Sequence, residues 1–139
     1  MSAPEEARGA WLAGECLCGE VHYAVANAFQ YALNCHCSNC RRTTGAAFKP
    51  FAGIERNKLE VTKGEGNLLL FGGANAHDVH CRCCGSLLFS FVRDGAFAHV
   101  TMGTLVDTPT IRPTAHIFVG SKAPWFTITD DLPQHEEFQ

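Results

Sequence analysis

The chain has 139 residues, of which 46% are hydrophobic and 18% are charged, so it is long and apolar enough for one globular domain. Its net charge of −3 argues against general nucleic-acid binding, which requires a basic face. No apolar run approaches the ~20 residues of a membrane span, and residues 1–6 do not resemble a secretory signal. We therefore expect a cytoplasmic protein, with no membrane or nucleic-acid partner, whose eight cysteines stay reduced and bind metal.

Short alternating apolar runs separated by glycine-rich turns predict an all-β domain of short antiparallel strands. We expect residues 1–11 to form a polar leader, with strands at residues 21–25 and 29–35. Pro50 is expected to end the small-residue segment that follows. No amphipathic pattern of 12 residues or more occurs, so no long helix is expected.

The second half of the chain continues the same pattern. Further strands are predicted at residues 59–61, 68–71, 87–91, 97–102, 116–119 and 125–128. The strand at 68–71 is expected to be buried, because all four of its residues are apolar. Residues 130–139 form a polar tail, and the whole chain, residues 1–139, is predicted to be a single domain.

Two cysteine pairs far apart in sequence predict a closed zinc site. Cys16 and Cys18 form a C-x-C pair, and Cys81 and Cys84 form a C-x-x-C pair. A glycine directly after each pair permits a tight turn, so that both sulfurs can face one ion. Four sulfurs complete a tetrahedral zinc site of the structural kind.

A third cysteine group predicts a second and different zinc site. Cys35, Cys37 and Cys40 are spaced as C-x-C-x-x-C, which lets three sulfurs turn toward one point. Three protein ligands leave one coordination position open, and open positions are where substrates bind. We therefore interpret these three residues as ligands of a catalytic zinc ion.

The eighth cysteine leaves one ligand assignment open. Cys83 could replace Cys84 in a C-x-C pair that mirrors Cys16 and Cys18, although Gly85 favours Cys84. A redox role for the C-x-x-C pair would require a βαβ pattern, which this chain lacks. If Cys83 were the ligand, Cys83→Ser would release zinc and Cys84→Ser would not.

The histidines are not predicted to be metal ligands. An extended backbone at His36 would point its ring away from the neighbouring sulfurs, so we expect it to be exposed or to lie just outside the ligand set. His77 and His80 are not needed where four sulfurs already complete a site. His99 and His116 lie in apolar strands and are predicted to be hydrogen-bonded core residues.

The order and spacing of the cysteine groups resemble the glutathione-dependent formaldehyde-activating enzyme family, which also includes centromere protein V. The similarity is carried by the G-x-C-x-C-G-x-V-x-Y motif at residues 14–23, the C-H-C-S-x-C-R motif at 35–41 with the following Gly45 and Phe48, and the C-x-x-C-G-S motif at 81–86. It covers roughly residues 12–133, nearly the whole chain.

The resemblance implies a β-tent fold with two zinc ions, one structural and one catalytic, in the two sites described above. It further implies an enzyme that joins formaldehyde to glutathione, the reverse of a carbon–sulfur lyase reaction. Its partners would be a small thiol such as glutathione and a small aldehyde. The chain departs from the family pattern at His80, where an aromatic residue is usual, and at the additional thiol Cys83.

Zinc deprotonates a thiol that it coordinates, whereas a three-sulfur site carries too much negative charge to be a strong Lewis acid. We therefore expect the open position to capture the thiol substrate as a thiolate. Arg41, Arg42 and Lys49 follow the cluster and are candidates to bind the carboxylates of a glutathione-like substrate. The alternative is a non-catalytic zinc module for partner binding or metal buffering, since no general acid or base is identifiable.

Overall fold

The computed structural model describes residues 11–138, which form ten β-strands and one short α-helix. The strands are β1 (Trp11–Glu15), β2 (His22–Ala26), β3 (Tyr31–Cys35), β4 (Lys49–Glu55), β5 (Leu59–Lys63), β6 (Leu68–Gly72), β7 (His77–Cys81), β8 (Leu87–Val92), β9 (Phe97–Thr101) and β10 (His116–Ile117). The helix, α1, spans Ser38–Thr44 between β3 and β4. Within residues 11–138, no helix is long and apolar enough to span a membrane.

The described strands form two sheets. The smaller sheet has the order β1-β2-β5, and the larger one has the order β10-β3-β4-β9-β8-β7-β6. All neighbouring strands are antiparallel except β10 and β3, which are parallel. The predicted all-β fold of short, mainly antiparallel strands is therefore confirmed.

The larger sheet has two chemically different faces. One face packs against the smaller sheet to form the main core, with buried side chains that include Tyr23, Val25, Ile54, Val79, Phe89, Ala98 and Val100. Residues directly opposite each other on paired strands share a face. On the other face, Asp78 therefore lies beside Ser90, and Ser90 beside His99. The same side carries Lys49 and Thr101 and, toward β3, the apolar Leu33 and Phe51 of a second, smaller core.

Three strands, β1, β4 and β7, were missed by the sequence analysis. Trp11–Glu15 is strand β1 rather than the end of a loose leader, and residues 1–10 lie outside the described residues. Strand β4 contains Pro50, which was expected to end its segment. Proline is tolerated there because the pairing of β4 with β9 begins only at Phe51, so no ladder hydrogen bond from residue 50 to β9 is lost.

Three strand predictions need correction near the surface. Residues 125–128 form no strand; Trp125 is exposed, and the Lys122 ammonium group donates hydrogen bonds to the carbonyls of Ala123 and Phe126. The strand at 116–119 is shorter than expected, because Phe118 adopts a left-handed conformation with φ of 58°. Residues 68–71 do form a strand, but it lies at the sheet edge and is mostly exposed.

The C-terminal segment is held against β10. The amide of His116 donates to the carbonyl of Pro133, and the amide of His135 donates back to the carbonyl of His116. The amide of Phe118 donates in the same way to the carbonyl of Glu137. The predicted tail therefore lies along the strand that borders the Cys35–Cys40 segment.

Candidate metal centres

Four cysteine sulfurs from the two sheets meet at one point. They belong to Cys16, Cys18, Cys81 and Cys84, and all lie within 4.8 Å of one another. The Cys16 and Cys18 sulfurs are 3.7 Å apart, and the Cys18 and Cys81 sulfurs are 3.8 Å apart. Zinc–sulfur bonds of about 2.3 Å in a tetrahedron place neighbouring sulfurs roughly 3.8 Å apart. The donor set and its spacing therefore fit zinc, and we call it the four-sulfur cluster.

Each half of the four-sulfur cluster is built by a tight turn that ends at a glycine, with a hydrogen bond spanning three residues in the first half and four in the second. The amide of Gly19 donates to the carbonyl of Cys16, and the amide of Gly85 donates to the carbonyl of Cys81. Gly19 and Gly85 have nearly identical left-handed φ values of 82° and 83°, which side chains with a Cβ rarely adopt. The amide of Val21 also donates to the Cys16 sulfur at 3.3 Å, which stabilises negative charge there.

The position of Cys84 bears on the ligand assignment that the sequence left open. Its sulfur lies in the cluster, whereas Cys83 is exposed and lies outside it. Hydrogen bonds from the side chain and backbone of Ser86 lower the pKa of Cys84 to about 5. The Ser86 hydroxyl oxygen also accepts from the amide of Leu17, so this residue connects the two cysteine pairs. The geometry thus favours Cys84 over Cys83.

A second group of sulfurs lies where β3 meets α1. Cys35 is the last residue of β3, Cys37 caps the N-terminus of α1, and Cys40 is in its first turn. The three sulfurs lie within 4.8 Å of one another, and we call them the three-sulfur cluster. The amide of Cys40 donates to the Cys37 sulfur at 3.2 Å, and Gly45 ends the helix in a left-handed conformation. The helix thus brings the second and third thiols of the motif together.

Two thiols of the three-sulfur cluster, those of Cys35 and Cys40, affect each other's pKa. The hydrogen bond from Cys40 lowers the pKa of Cys35, while the same contact raises the pKa of Cys40. The nearby Lys49 ammonium group acts in the opposite direction on the pKa of Cys40. Such crowding of thiols favours a cation at their centre, because a cation stabilises all three thiolates at once.

His36 was expected either to be exposed or to lie just outside the ligand set. It lies outside the three-sulfur cluster, and its side chain is fully buried. His36 Nε2 lies 2.8 Å from His116 Nδ1, and His116 Nε2 lies 3.0 Å from an Asp130 oxygen. Burial, together with nearby His116, lowers the pKa of His36 to about 4. The ring turns inward because the parallel pairing of β3 with β10 places His116 beside it.

The other four histidines considered in the sequence analysis also lie outside the two sulfur clusters. His99 donates or accepts a hydrogen bond of 2.7 Å with the Tyr31 hydroxyl, and His116 is buried, so both are hydrogen-bonded within the fold as expected. His77 and His80 belong to neither sulfur cluster. Their ring nitrogens instead contact the backbone carbonyls of residues 73 and 85.

A cavity of about 810 Å³ lies next to the three-sulfur cluster. Its walls come from α1, β4 and the β6–β7 hairpin, and they include Cys40, Arg42, Lys49, Leu69, Phe71 and Asp78. A volume of this order is typical of small-molecule sites. Among the described residues of the two clusters, only Cys40 lines it, so the cavity offers an approach to one metal centre and not to the other.

The three predicted substrate-binding residues lie at different positions relative to this cavity. Lys49 is 6% exposed and lines the cavity beside Cys40. Arg42 also lines it, whereas Arg41 does not. The sequence analysis missed Asp78, which lies between His77 and Val79 in a segment where no strand was predicted. It missed Asp78 because only the sheet order shows which strand faces α1.

A larger cavity of about 1000 Å³ lies elsewhere, between the edges of the two sheets. It is lined by residues of β5 to β8, including Leu59, Val61, Leu70 and Phe91. The Arg56 guanidinium group lies 3.8 Å from the centre of the Phe91 ring at its border. None of its described lining residues is a cysteine. The larger of these two cavities is therefore not the one that borders a candidate metal centre.

The fold and the two clusters define a class of protein: an all-β domain with one four-sulfur and one three-sulfur candidate metal centre. Within that class, the chain belongs to the glutathione-dependent formaldehyde-activating enzyme family, which it matches over residues 11–121. The crystal structure of a Rhodobacter sphaeroides protein is similar to it, with 33% sequence identity and a TM-score of 0.58. That similarity covers 71% of this chain and 92% of the other. No curated protein matches the chain.

Proposed function

We propose that this protein is a zinc-dependent enzyme of the carbon–sulfur lyase type, which joins a thiol such as glutathione to formaldehyde or a related small aldehyde. The observation that carries the proposal is the position of Cys40, which belongs to the three-sulfur cluster and also lines the adjacent cavity. A substrate in that cavity therefore reaches one metal centre directly. Membership of the family supports the choice of glutathione and formaldehyde.

The reaction is an addition in which no atom is lost. A bond forms between the thiol sulfur and the carbonyl carbon, the carbon–oxygen double bond becomes single, and the thiol proton ends on the oxygen. A zinc ion held by Cys35, Cys37 and Cys40 would lower the pKa of a thiol that coordinates it, so that a thiolate would be available at neutral pH. The chain's own contribution is to hold the thiol substrate in place beside the cluster.

Cationic side chains support the binding of a substrate that carries carboxylates. Lys49 is buried beside Cys40, and no acidic residue within positions 11–138 forms an ion pair with it. Burying an ammonium group is costly unless a counter-charge is present. Thiolates of the three-sulfur cluster would supply part of that charge, and a substrate carboxylate would add to it. Arg42 adds a second cation to the same cavity, and Arg41 remains a candidate from the sequence alone.

We assign the four-sulfur cluster a structural role. Cys16 and Cys18 follow β1 in the smaller sheet, whereas Cys81 and Cys84 border β7 and β8 in the larger one. A metal ion at this cluster therefore cross-links the two sheets. The four sulfurs complete its coordination and leave no position for a substrate.

The first test is to count zinc ions per chain by elemental analysis before and after mild chelation, and to measure turnover on the same samples. Two zinc ions falling to one, with loss of thiol–formaldehyde addition above the spontaneous rate, is the expected result. Cys37→Ala is expected to abolish turnover with the fold intact, and Cys83→Ser serves as the matched thiol control. Native protein that accelerates addition for none of several thiols and aldehydes would instead identify a non-catalytic zinc module.

A further inference from the structure

The cavity beside the three-sulfur cluster contains an acidic group that the proposed addition reaction does not use. Asp78 lies on β7 and lines the cavity on the side opposite α1 and β4. The buried hydroxyl of Ser90 donates a hydrogen bond of 2.7 Å to Asp78 Oδ1. This bond fixes the orientation of the carboxylate and leaves Oδ2 with no protein donor among the described residues.

Asp78 also lacks a cationic partner within the described part of the chain. No Lys, Arg or His within residues 11–138 forms an ion pair with it. Its cross-strand neighbour on β6 is Phe71, an apolar residue that lines the same cavity with Leu69. Across the sheet, Asp78 thus lies between Ser90 and Phe71, and His80 of the same strand also lines the cavity. The second carboxylate oxygen is available to a cation that enters the cavity, and a charge-assisted hydrogen bond to it would be stronger than one between neutral groups.

The charges of the cavity are therefore separated in space. Cations lie on the side of α1 and β4, at Arg42 and Lys49, and the anion lies on β7. In the sheet order, β9 and β8 stand between β4 and β7, so these two strands are three spacings, or roughly 14 Å, apart. An extended tripeptide spans roughly 10 Å, and the side chains that enter the cavity shorten the gap.

We propose that Asp78 binds the ammonium group of the thiol substrate, so that the cavity selects thiols whose free amine is remote from the sulfur, as in γ-glutamyl peptides. In such a complex the sulfur lies at the three-sulfur cluster, a carboxylate pairs with Lys49 or Arg42, and the amine pairs with Asp78. The inference rests on the proposed function for the identity of the site. It adds the requirement of a free amine, which a thiol carrying carboxylates alone does not meet.

The test compares two ligands that differ only in the amine. Isothermal titration calorimetry on the zinc-loaded full-length chain measures the binding of glutathione and of glutaryl-cysteinyl-glycine, in which hydrogen replaces the amino group. Wild-type protein is expected to bind glutathione roughly tenfold more tightly, as is typical of a hydrogen bond to a charged group. Asp78→Asn is expected to remove that preference by weakening glutathione alone, since an amide keeps the Ser90 hydrogen bond.

A matched variant separates the local effect from the general loss of charge. Asp131→Asn removes one exposed carboxylate outside the cavity and is expected to leave both affinities unchanged. Equal weakening of both ligands by Asp78→Asn would overturn the inference, because it would show a purely structural role. A wild-type protein with no preference between the two ligands would overturn it without any variant.

Failure of this inference can be distinguished from failure of the proposed function, because binding and turnover are measured separately. Preference for the amine that depends on Asp78, in a protein that does not accelerate addition to formaldehyde, would refute the proposed reaction and retain this inference. A wild-type protein that binds neither of the two ligands would overturn the inference.

Discussion

His36 Nε2 lies 2.8 Å from His116 Nδ1, and this contact joins the loop of the three-sulfur cluster to β10. His116 continues through its Nε2 atom to Asp130 in the C-terminal segment. The ring of Phe48 packs against both histidines, with centroid distances of 5.0 Å and 5.8 Å. The backbone between Cys35 and Cys37 is thus anchored from inside the protein as well as by its sulfurs.

The first prediction concerns the removal of this anchor. His116→Ala leaves His36 Nε2 buried without a partner and creates a cavity, so we expect the free energy of unfolding to fall by about 3 kcal/mol. Urea denaturation of zinc-loaded protein measures the change. His22→Ala is the control, because His22 is partly exposed and only approaches Glu15 at 3.9 Å. Equal stabilities of the two variants would show that the histidine pair contributes nothing.

The second prediction concerns acid stability. Burial, with repulsion from Lys49 and Arg93, lowers the pKa of His99 to about 3 from its ordinary value of 6.5. Between these two values the unfolded chain binds a proton that the folded protein does not. The contribution of His99 to stability is therefore complete above pH 6.5 and decreases as the pH falls toward 3.

His99→Phe tests this pH dependence, because it keeps a ring to stack on Phe51 at the present 4.3 Å but cannot titrate. Urea denaturation at pH 7, 6 and 5 is expected to show a steeper loss in the wild type, by about 1 kcal/mol per pH unit below pH 6.5. Both proteins must carry equal amounts of zinc, since acid also releases metal from thiolates. Parallel pH profiles would contradict the prediction.

The third prediction concerns the choice between the two adjacent thiols. Cys84→Ser is expected to lower the zinc content by one ion per chain and to lower the Tm, because it opens the link between the sheets. Cys83→Ser is expected to change neither quantity, since its sulfur lies outside the cluster. Elemental analysis and thermal unfolding measure both. The reverse pattern would assign the ligand to Cys83.

The fourth prediction concerns a glycine that is covered by a ring. A Cβ atom added at Gly53 would lie 2.2 Å from Tyr31 Cζ, so Gly53→Ala must displace that ring. The displacement breaks the 2.7 Å hydrogen bond of Tyr31 to His99 and its stacking on Phe97. We expect a loss of about 3 kcal/mol in the free energy of unfolding.

Gly66→Ala is the matched control for this substitution. No atom lies within 4 Å of the position that a Cβ at residue 66 would occupy. Chemical denaturation compares the two variants, and near-ultraviolet circular dichroism reports the environment of Tyr31. An undisturbed spectrum together with unchanged stability in Gly53→Ala would show that the ring moves without cost.

The grouping of the cysteines could be predicted from sequence because thiols that share an ion leave a local pattern. Cys35, Cys37 and Cys40 lie within one loop and one helical turn, and each half of the other cluster is a short pair followed by glycine. Strands β2 and β3 were predicted for the same reason, since alternation is visible within five residues. Whether the clusters act as proposed is decided by chemistry that spacing does not encode.

The features that the sequence analysis missed depend on contacts between distant segments. The apolar residues of β6 were expected to be buried, yet Phe71 is 73% exposed because no described strand pairs with the outer edge of β6. His36 is buried only because residue 116, which is 80 positions away, lies beside it. Trp125 and its neighbours alternate like a strand but have no strand to pair with. Neither sheet order nor edge position can be deduced from local patterns.

The two clusters differ in how much of the chain each one holds together. The three-sulfur cluster spans six residues, whereas the sulfurs of Cys18 and Cys81 come from positions 63 residues apart. Ions in the first cluster can be exchanged through the motion of a single loop, while exchange in the second requires two sheets to separate. If both clusters bind zinc as proposed, the ion of the three-sulfur cluster is expected to leave first when zinc becomes scarce, while the link between the two sheets is kept.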